Sequence, residues 1–187
     1  MTDWLITPHD PSDLEAIVAL VNSAYRGDGA KVGWAHESDY IDGQRTSVAD
    51  LAADLAADPA PTLLVARRSG GGEILACVMI ERITAPDGGL TGYIGMLTVR
   101  PDLQAAGLGR VVLEAAEEYA RLAGADRARM TVISIRDTLI AWYLRRGYRL
   151  TGERRPFPYG DERFGAPRVA GLEFVVLEKA LTRDLRA

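Results

Sequence analysis

The chain contains 187 residues, a length that suits one domain able to bury a large core. Its net charge of −4 argues against a nucleic-acid partner, because such a balance does not attract phosphate backbones. The single cysteine excludes an internal disulfide, and the two histidines lack the spacing of a zinc site, so no metal is expected. Since no apolar run reaches about 18 residues and no signal pattern opens the chain, we expect no membrane partner and a cytoplasmic location.

The first half of the chain predicts a strand, two helices and an antiparallel meander. Apolar periodicity, a stop at Pro59, and turn clusters at Ser69 to Gly72 and Pro86 to Gly89 define these elements. In chain order they are a strand at Leu5 and Ile6, helices at Leu14 to Tyr25 and Val48 to Ala57, and strands at Thr62 to Arg67, Glu73 to Ile83 and Tyr93 to Val99.

A long polar segment, Gly27 to Gly43, separates the two predicted helices. It is rich in glycine and longer than most connections within a compact domain. Such a segment is either a mobile surface loop or part of a binding site, and the sequence leaves both interpretations open.

The second half alternates between strands and helices. After the meander come a helix from about Gly109 to Leu122, a strand from Ala128 to Ile135 and a helix from about Thr138 to Arg146. This alternation predicts a β-α-β-α unit with a parallel pair of strands inside it. Beyond Tyr148 the chain is rich in loop residues until a final strand at Leu172 to Glu178. The fold class is therefore α+β, or mixed α/β, in one domain over residues 1–187.

The segment from Met96 to Arg110 carries the most informative pattern. A strand leads into a turn that contains Gly107 and Gly109, and the turn opens a helix. The first N–H groups of a helix lack intrahelical partners and lie at the positive end of its dipole, so this turn can bind a diphosphate. The glycines can equally serve a tight strand-to-helix connection. A dinucleotide fingerprint is excluded by Val112, where a third glycine is required, and the chain has no P-loop triplet.

Two motifs in the second half resemble a known family. Gln104-Ala105-Ala106-Gly107-Leu108-Gly109 is similar to the Gln/Arg-x-x-Gly-x-Gly/Ala signature of the GNAT superfamily, the acyl-CoA-dependent N-acyltransferases. Ala141 to Tyr148 resembles that family's second motif, a helix with an aromatic-Tyr pair followed by Gly-aromatic. The resemblance implies a GNAT-like central mixed sheet with an antiparallel N-terminal meander, a β-α-β-α unit and helices on both faces.

The resemblance also implies roles for individual residues. Acetyl-CoA would lie along the strand, with its pantetheine arm against Leu97, Thr98 and Val99. Gln104 would open the turn, and the diphosphate would be held by the backbone amides of Ala105, Ala106, Gly107, Leu108, Gly109 and Arg110. Tyr143 would protonate the departing thiolate, because a phenol with a pKa of about 10 keeps its proton at neutral pH.

The chain departs from the family pattern at two positions. Arg136 stands where the family often has an asparagine that helps to hold the cofactor, so a guanidinium would replace that contact or the contact is lost. The predicted central strand contains no Asp or Glu, although many family members carry the general base there. Glu81 on the preceding strand is the candidate base, although a strand glutamate is more commonly solvated or ion-paired.

Four further residues have two interpretations each. Glu37 and Asp39, in the long polar segment, either recognise a cationic amine or are ordinary surface acids. His36 is a candidate base with a pKa of about 6.5, although a lone loop histidine seldom acts as one. Cys77 lies in an apolar run and is predicted to be a small core residue.

The resemblance implies an N-acetyltransferase that transfers the acetyl group of acetyl-CoA to a primary amine of a small molecule or a peptide. The resemblance also makes a homodimer a reasonable expectation. The missing central carboxylate keeps a non-catalytic acyl-CoA-binding module on the same fold as the alternative. A second alternative is a structural βαβ domain that binds no nucleotide. No motif identifies the amine acceptor.

Overall fold

The computed structural model describes residues 4–84 and 88–181. Within these ranges the chain forms a seven-stranded sheet, a two-stranded sheet and five α-helices. The strands are β1 (Trp4–Pro8), β2 (Ile41–Asp42), β3 (Thr62–Arg68), β4 (Ala76–Thr84), β5 (Leu90–Val99), β6 (Arg127–Ile133), β7 (Arg149–Pro156), β8 (Ala166–Pro167) and β9 (Glu173–Ala180). The helices are α1 (Leu14–Tyr25), α2 (Gly27–Ala30), α3 (Val48–Leu55), α4 (Leu108–Leu122) and α5 (Asp137–Leu144).

The large sheet has the order β1-β3-β4-β5-β6-β9-β7. Its neighbouring strands are antiparallel except β5 and β6, which are parallel because the crossover helix α4 connects them. This topology confirms the predicted mixed sheet, with β3, β4 and β5 as the meander. The predicted turn at Pro86 to Gly89 includes residues 86 and 87, which lie outside the described residues.

A cleft opens between β5 and β6. The two strands pair only from Thr91 to Tyr93 on β5, although β5 continues to Val99. Beyond that point β5 carries a bulge, since two of its residues, Met96 and Leu97, stand opposite one residue of β4. Met96 has a φ of 49°, which is rare for a residue with a side chain. Because a bulge bends its strand, the end of β5 turns away from β6.

Helices cover both faces of the large sheet, as the sequence predicts. On one face α1 and α3 pack on β3 and β4, around the buried side chains of Ile17, Val21 and Leu51. On the other face α4 and α5 pack against the sheet, and α4 lies so close to β5 that a Cβ on Gly92 would stand 2.5 Å from the Cβ of Ala120. Within the described ranges, no helix has the length and apolar character that crossing a bilayer requires.

Two elements differ from the sequence prediction. Residues Arg149–Pro156 form β7, which pairs with β9, where a loop-rich segment is predicted. Seven of the eight residues of this edge strand are exposed, so it lacks the apolar alternation that marks a half-buried strand. The second difference is a short sheet of β2 and β8, whose two-residue strands are too short to leave a pattern.

Candidate active site

Two cavities meet beside the cleft. The larger, of about 360 Å³, lies between the end of β5, the turn before α4, and α5. The smaller, of about 170 Å³, lies between β5 and β6 and reaches the segment around β2. The residues that line both cavities are Tyr25, Leu97, Arg136, Leu139 and Tyr143. These five residues form the junction between the two cavities.

The turn before α4 presents backbone donors to the larger cavity. Gly107 is the N-cap of α4 and has a φ of 84°, a conformation that glycine adopts without steric cost. The amides of Ala106 and Arg110 already donate to Leu103 and Gly107 carbonyls. Among the described turn and loop bonds, none uses the amides of Leu108 and Gly109, the first two residues of the helix. These amides are available for an anion.

Most of the predicted cofactor-binding residues line the larger cavity. They are Leu97, Thr98, Val99, Gln104, Ala105, Gly107, Gly109, Arg110 and Arg136. Ala106 and Leu108 do not line it, and the Leu108 side chain is fully buried in the core below α4. For Leu108 the backbone amide is therefore the group that could face a ligand, whereas the Ala106 amide already donates to the Leu103 carbonyl.

We expect Gly107→Ala to weaken acetyl-CoA binding about tenfold or more, because the strained turn would no longer present its amides correctly. Gly124→Ala is the matched control: Gly124 also has a positive φ, 94°, but lies at the far end of α4. Both variants should lose about 1 kcal/mol of stability. Calorimetric titration with acetyl-CoA distinguishes them, and equal affinities would contradict a diphosphate site at this turn.

At the end of β5, alternate residues direct their backbone groups away from β4. Arg100 donates its amide to Leu75, so the alternation of the strand directs the backbone of Leu97 and Val99 toward the cleft. Side chains already bind both carbonyls: the Tyr25 hydroxyl donates to the Leu97 oxygen at 2.7 Å, and Gln104 Nε2 donates to the Val99 oxygen at 3.2 Å. A pantetheine arm along this strand would therefore use mainly the N–H groups.

The long polar segment is fastened to the larger cavity. Ala35 donates its amide to Gln104 Oε1 at 3.0 Å, and its carbonyl accepts from Arg136 Nη2 at 2.5 Å. Gly33 lies against the same glutamine, since a Cβ at Gly33 would stand 2.5 Å from Oε1. Of the two sequence interpretations, the structure supports the one in which this segment shapes a binding site. It also holds Trp34 over the cavity, 6.3 Å from the Trp142 ring.

Glu37 is the centre of a buried charge cluster. Arg26 Nη1 donates to its Oε2 at 2.5 Å, and Arg136 Nη1 donates to its Oε1 at 2.9 Å. Burial alone would raise the pKa of Glu37, but the positive charges of Arg136, Arg45 and Arg26 hold it below its ordinary value. Glu37 is thus neither an ordinary surface acid nor free to recognise a cationic amine. Asp39 is exposed.

Tyr143 stands at the junction of the two cavities. Its side chain is 6 % exposed and lies between Trp142 and Tyr148, at ring distances of 4.9 and 5.6 Å. Burial raises the pKa of the Tyr143 phenol above its ordinary value, and the neighbouring Tyr25 adds to that effect. The phenol therefore holds its proton at neutral pH and can act as a hydrogen-bond donor.

Glu81 lies farther from the junction. It stands opposite Tyr93 on β5, four residues before Leu97, which corresponds to roughly 13 Å along a strand. Glu81 lines neither cavity, whereas Tyr93 lines the smaller one. Burial raises the pKa of Glu81, and the charge of Asp54 raises it further. A proton could reach this carboxylate from the junction only through water.

His36 and Cys77 line neither cavity. Nδ1 of His36 is buried and has no hydrogen-bond partner among the described residues. Cys77 is fully buried, and burial raises the pKa of its thiol to about 12, so the prediction of a core residue agrees with its position.

Sequence reasoning missed Tyr25, Arg26, Arg45 and Trp34. They are brought to the site by contacts between distant parts of the chain, such as the hydrogen bond from Tyr25 to Leu97 and the ion pair of Arg26. No local motif contains these residues. The helical spacing that includes Tyr25 is equally consistent with a core position.

A sheet that splays beside a helix N-terminus, with a phenol where two cavities adjoin, is an arrangement that could place a nucleotide-linked donor beside an acceptor. The chain belongs to the acetyltransferase (GNAT) family, whose model matches residues 14–148. That match includes the glycine turn, Glu81 and Tyr143. No curated protein matches the chain in sequence.

Solved structures share the fold at low sequence identity. A protein described as a phosphinothricin N-acetyltransferase is 16% identical, with a TM-score of 0.70 over 97% of this chain and 100% of its own. An acetyltransferase of Salmonella typhimurium, solved with its cofactor acetyl-CoA, is 18% identical, with a TM-score of 0.68 over 97% and 96%. Naa20 of Chaetomium thermophilum, solved with a bisubstrate analogue, is 20% identical, with a TM-score of 0.68 over 96% and 88%.

Proposed function

We propose that this protein transfers an acetyl group from acetyl-CoA to a primary amine. The observation that carries the proposal is the position of Tyr143, whose phenol stands where the cavity at the glycine turn adjoins a second, smaller cavity. In this proposal acetyl-CoA occupies the larger cavity and the amine occupies the smaller one. The acyl carbon and the amine would then meet beside Tyr143.

The larger cavity suits a diphosphate. Among the described residues, no aspartate or glutamate lines it. Four arginines do, namely Arg110, Arg136, Arg145 and Arg146. The free amides at the start of α4 add partial positive charge. Arg146 is held over the Trp142 ring at 3.5 Å and donates to the Trp142 carbonyl at 2.8 Å, so this charge has a fixed position. The guanidinium of Arg136 is already bonded to Ala35 and Glu37, so it would contribute mainly by its charge.

Tyr143 would act on the leaving sulfur. When bound, acetyl-CoA supplies an acyl carbon activated by a thioester; the C–N bond forms as the C–S bond breaks. Because the raised pKa of Tyr143 lies above the value of about 8.5 that is usual for a thiol, the phenol would stabilise the sulfur anion chiefly by donating a hydrogen bond. Positioning of the two substrates would supply the rest of the rate.

The amine must be neutral to attack. The smaller cavity is lined by three arginines and one carboxylate, namely Arg26, Arg45, Arg136 and Glu37. This excess of positive charge, together with burial, would disfavour an ammonium ion and so lower the pKa of a bound amine. The proton would leave through water toward Glu81, which remains the candidate base.

We expect Glu81→Gln to lower kcat about 10²-fold at neutral pH, the lower end of what one general base contributes. The variant should also lose the acidic limb of the wild-type rate profile, because that limb reports protonation of the base. Steady-state rates of amine-dependent thiol release between pH 5 and 9 provide the measurement. If kcat and its pH profile are unchanged, Glu81 is not the base, and the positive charge of the three arginines is enough to keep the amine neutral.

Amine-dependent thiol release tests the function itself. The purified protein is incubated with acetyl-CoA and a panel of primary amines that includes amino acids, aliphatic amines, polyamines and short peptides, and free thiol is recorded with and without each amine. At least one amine should accelerate thiol release well above hydrolysis. A protein that binds acetyl-CoA in calorimetry but releases no thiol with any amine would instead be a non-catalytic acyl-CoA-binding module.

A further inference from the structure

Among the described residues, the acids that line the smaller cavity do not balance its positive charge. Arg26 and Arg136 both bond to Glu37, so one carboxylate serves two guanidinium groups. The third arginine, Arg45, has no carboxylate within ion-pair distance among the described residues, and the cavity lining contains no further acid. The three arginines and the one glutamate that line the smaller cavity therefore give it a formal charge of +2.

Arg45 is held in place by its backbone. Asn22 on α1 accepts from the Arg45 amide at 2.6 Å and from the Thr46 amide at 3.2 Å, and its own Nδ2 donates to the Thr46 carbonyl at 2.9 Å. These three bonds fix residues 45–46 against α1. The Arg45 guanidinium lies over the Tyr25 ring, 5.8 Å from its centroid, and Tyr25 is one of the junction residues. The Tyr25 ring thus lies between the Arg45 guanidinium and the junction of the two cavities.

The rest of the smaller cavity is mainly apolar. Phe157 packs on Phe174 at 5.6 Å and on Phe164 at 6.2 Å, and all three line the cavity. Met96 and Met130 line it from β5 and β6. Its volume of about 170 Å³ is below the range of roughly 300–1,000 Å³ that is usual for drug-sized ligands. The cavity therefore suits a small acceptor with an apolar body.

We propose that the acceptor is a small amine that also carries a carboxylate, and that Arg45 binds this carboxylate. The inference rests on the proposed function and names the acceptor class of the same site. The apolar body of the acceptor would lie on the phenylalanine cluster of Phe157, Phe164 and Phe174, and its amine would reach the junction beside Tyr143. One carboxylate would halve the charge excess of the cavity and leave it positive.

An anionic acceptor fits this cavity better than a cationic one. An arginine in a partly buried site, with no carboxylate at ion-pair distance in the described part of the chain, favours an oxyanion, and its planar fork matches a carboxylate in bidentate geometry. A polyamine would bring further positive charge toward three arginines, which like-charge repulsion opposes. The contact of Arg45 with Tyr25 is a weaker cation–π interaction and leaves its N–H donors available.

Pairs of acceptors that differ only by the carboxylate test the inference. The pairs are phenylalanine with phenethylamine, and methionine with 3-(methylthio)propylamine, each compared at equal concentrations of neutral amine. For the wild-type protein, kcat/KM for thiol release should be about 10-fold to 100-fold higher for the amino acid of at least one pair, the range expected of a charge-assisted bidentate bond. Arg45→Gln should abolish this preference, because it should lower kcat/KM much more for the amino acid than for the decarboxylated amine.

Arg149→Gln is the control variant, because Arg149 is an exposed arginine on β7 that lines neither cavity. It should keep the wild-type preference, and both variants should keep the wild-type affinity for acetyl-CoA. Equal kcat/KM within both pairs, or a preference that survives Arg45→Gln, would overturn the acceptor class and leave the acetyltransferase standing. Absence of thiol release with every amine would overturn both. The wild-type comparison stands even if Arg45→Gln does not fold.

Discussion

Replacing Tyr143 by phenylalanine is expected to lower kcat for amine-dependent thiol release about 10²-fold to 10³-fold, the usual cost of removing one hydrogen-bond donor to a developing anion. The change removes a hydroxyl and keeps the ring that packs between Trp142 and Tyr148. Affinity for acetyl-CoA should therefore change little. Because burial raises the pKa of Tyr143, the wild-type rate should not fall from ionisation of this phenol at any pH up to its ordinary value of 10.0.

Tyr148→Phe provides the matched control for this experiment. Tyr148 is also a buried tyrosine, its ring lies 5.6 Å from that of Tyr143, and it lines neither cavity. Loss of its hydroxyl should leave kcat within about twofold of wild type, since changes outside the transition-state contacts alter rates little. Single-turnover assays at saturating acetyl-CoA separate the rate of the acetyl-transfer step from the rate of product release. A Tyr143→Phe variant as active as Tyr148→Phe would remove Tyr143 from the mechanism.

The elements that sequence predicts well are those whose signals are local. The helix α4 and the turn before it are marked by glycines, amphipathic spacing and the preceding strand, all within residues 96–122. The structure begins the helix at Leu108, one residue before the prediction. Tyr143 is found in the same way, because its helix and the following Gly147 and Tyr148 form a continuous motif.

The bulge in β5 could not be predicted. It depends on Met96 adopting a positive φ, and nothing in the residue type favours that conformation. Yet this bulge separates β5 from β6 and so creates the cleft. Sheet register and bulges depend on tertiary pairing, which a single sequence does not display.

The charge cluster beside the smaller cavity is also hidden from the sequence. Glu37 and Arg136 are 99 positions apart, and Arg26 reaches the carbonyl of Phe164 across 138 positions. Such contacts leave no periodicity, and each residue alone resembles a solvated charge. The family motifs concern cofactor binding and leave the acceptor walls unspecified. The charge cluster is therefore visible only from the positions of the side chains in the fold.

Replacing Glu37 by glutamine is expected to lower the free energy of unfolding by about 3–5 kcal/mol, the usual cost of leaving a buried charge unpaired. The variant keeps the size of the side chain but leaves Arg26 and Arg136, both 8 % exposed, without a counter-ion. Glu73→Gln is the control, since Glu73 also pairs with an arginine at 2.5 Å but its side chain is 68% exposed. An exposed pair contributes at most about 1 kcal/mol.

The lowered pKa of Glu37 also predicts how the free energy of unfolding depends on pH. The folded-state pKa of Glu37 lies below its ordinary value of 4.5, so its contribution is present above pH 4.5 and is lost as the pH falls through the folded-state pKa. Urea unfolding of wild type and both variants between pH 3 and 7 should therefore show the wild-type advantage over Glu37→Gln shrinking below pH 4.5. If Glu37→Gln and Glu73→Gln unfold alike at pH 7, the cluster does not hold the acceptor side of the site together.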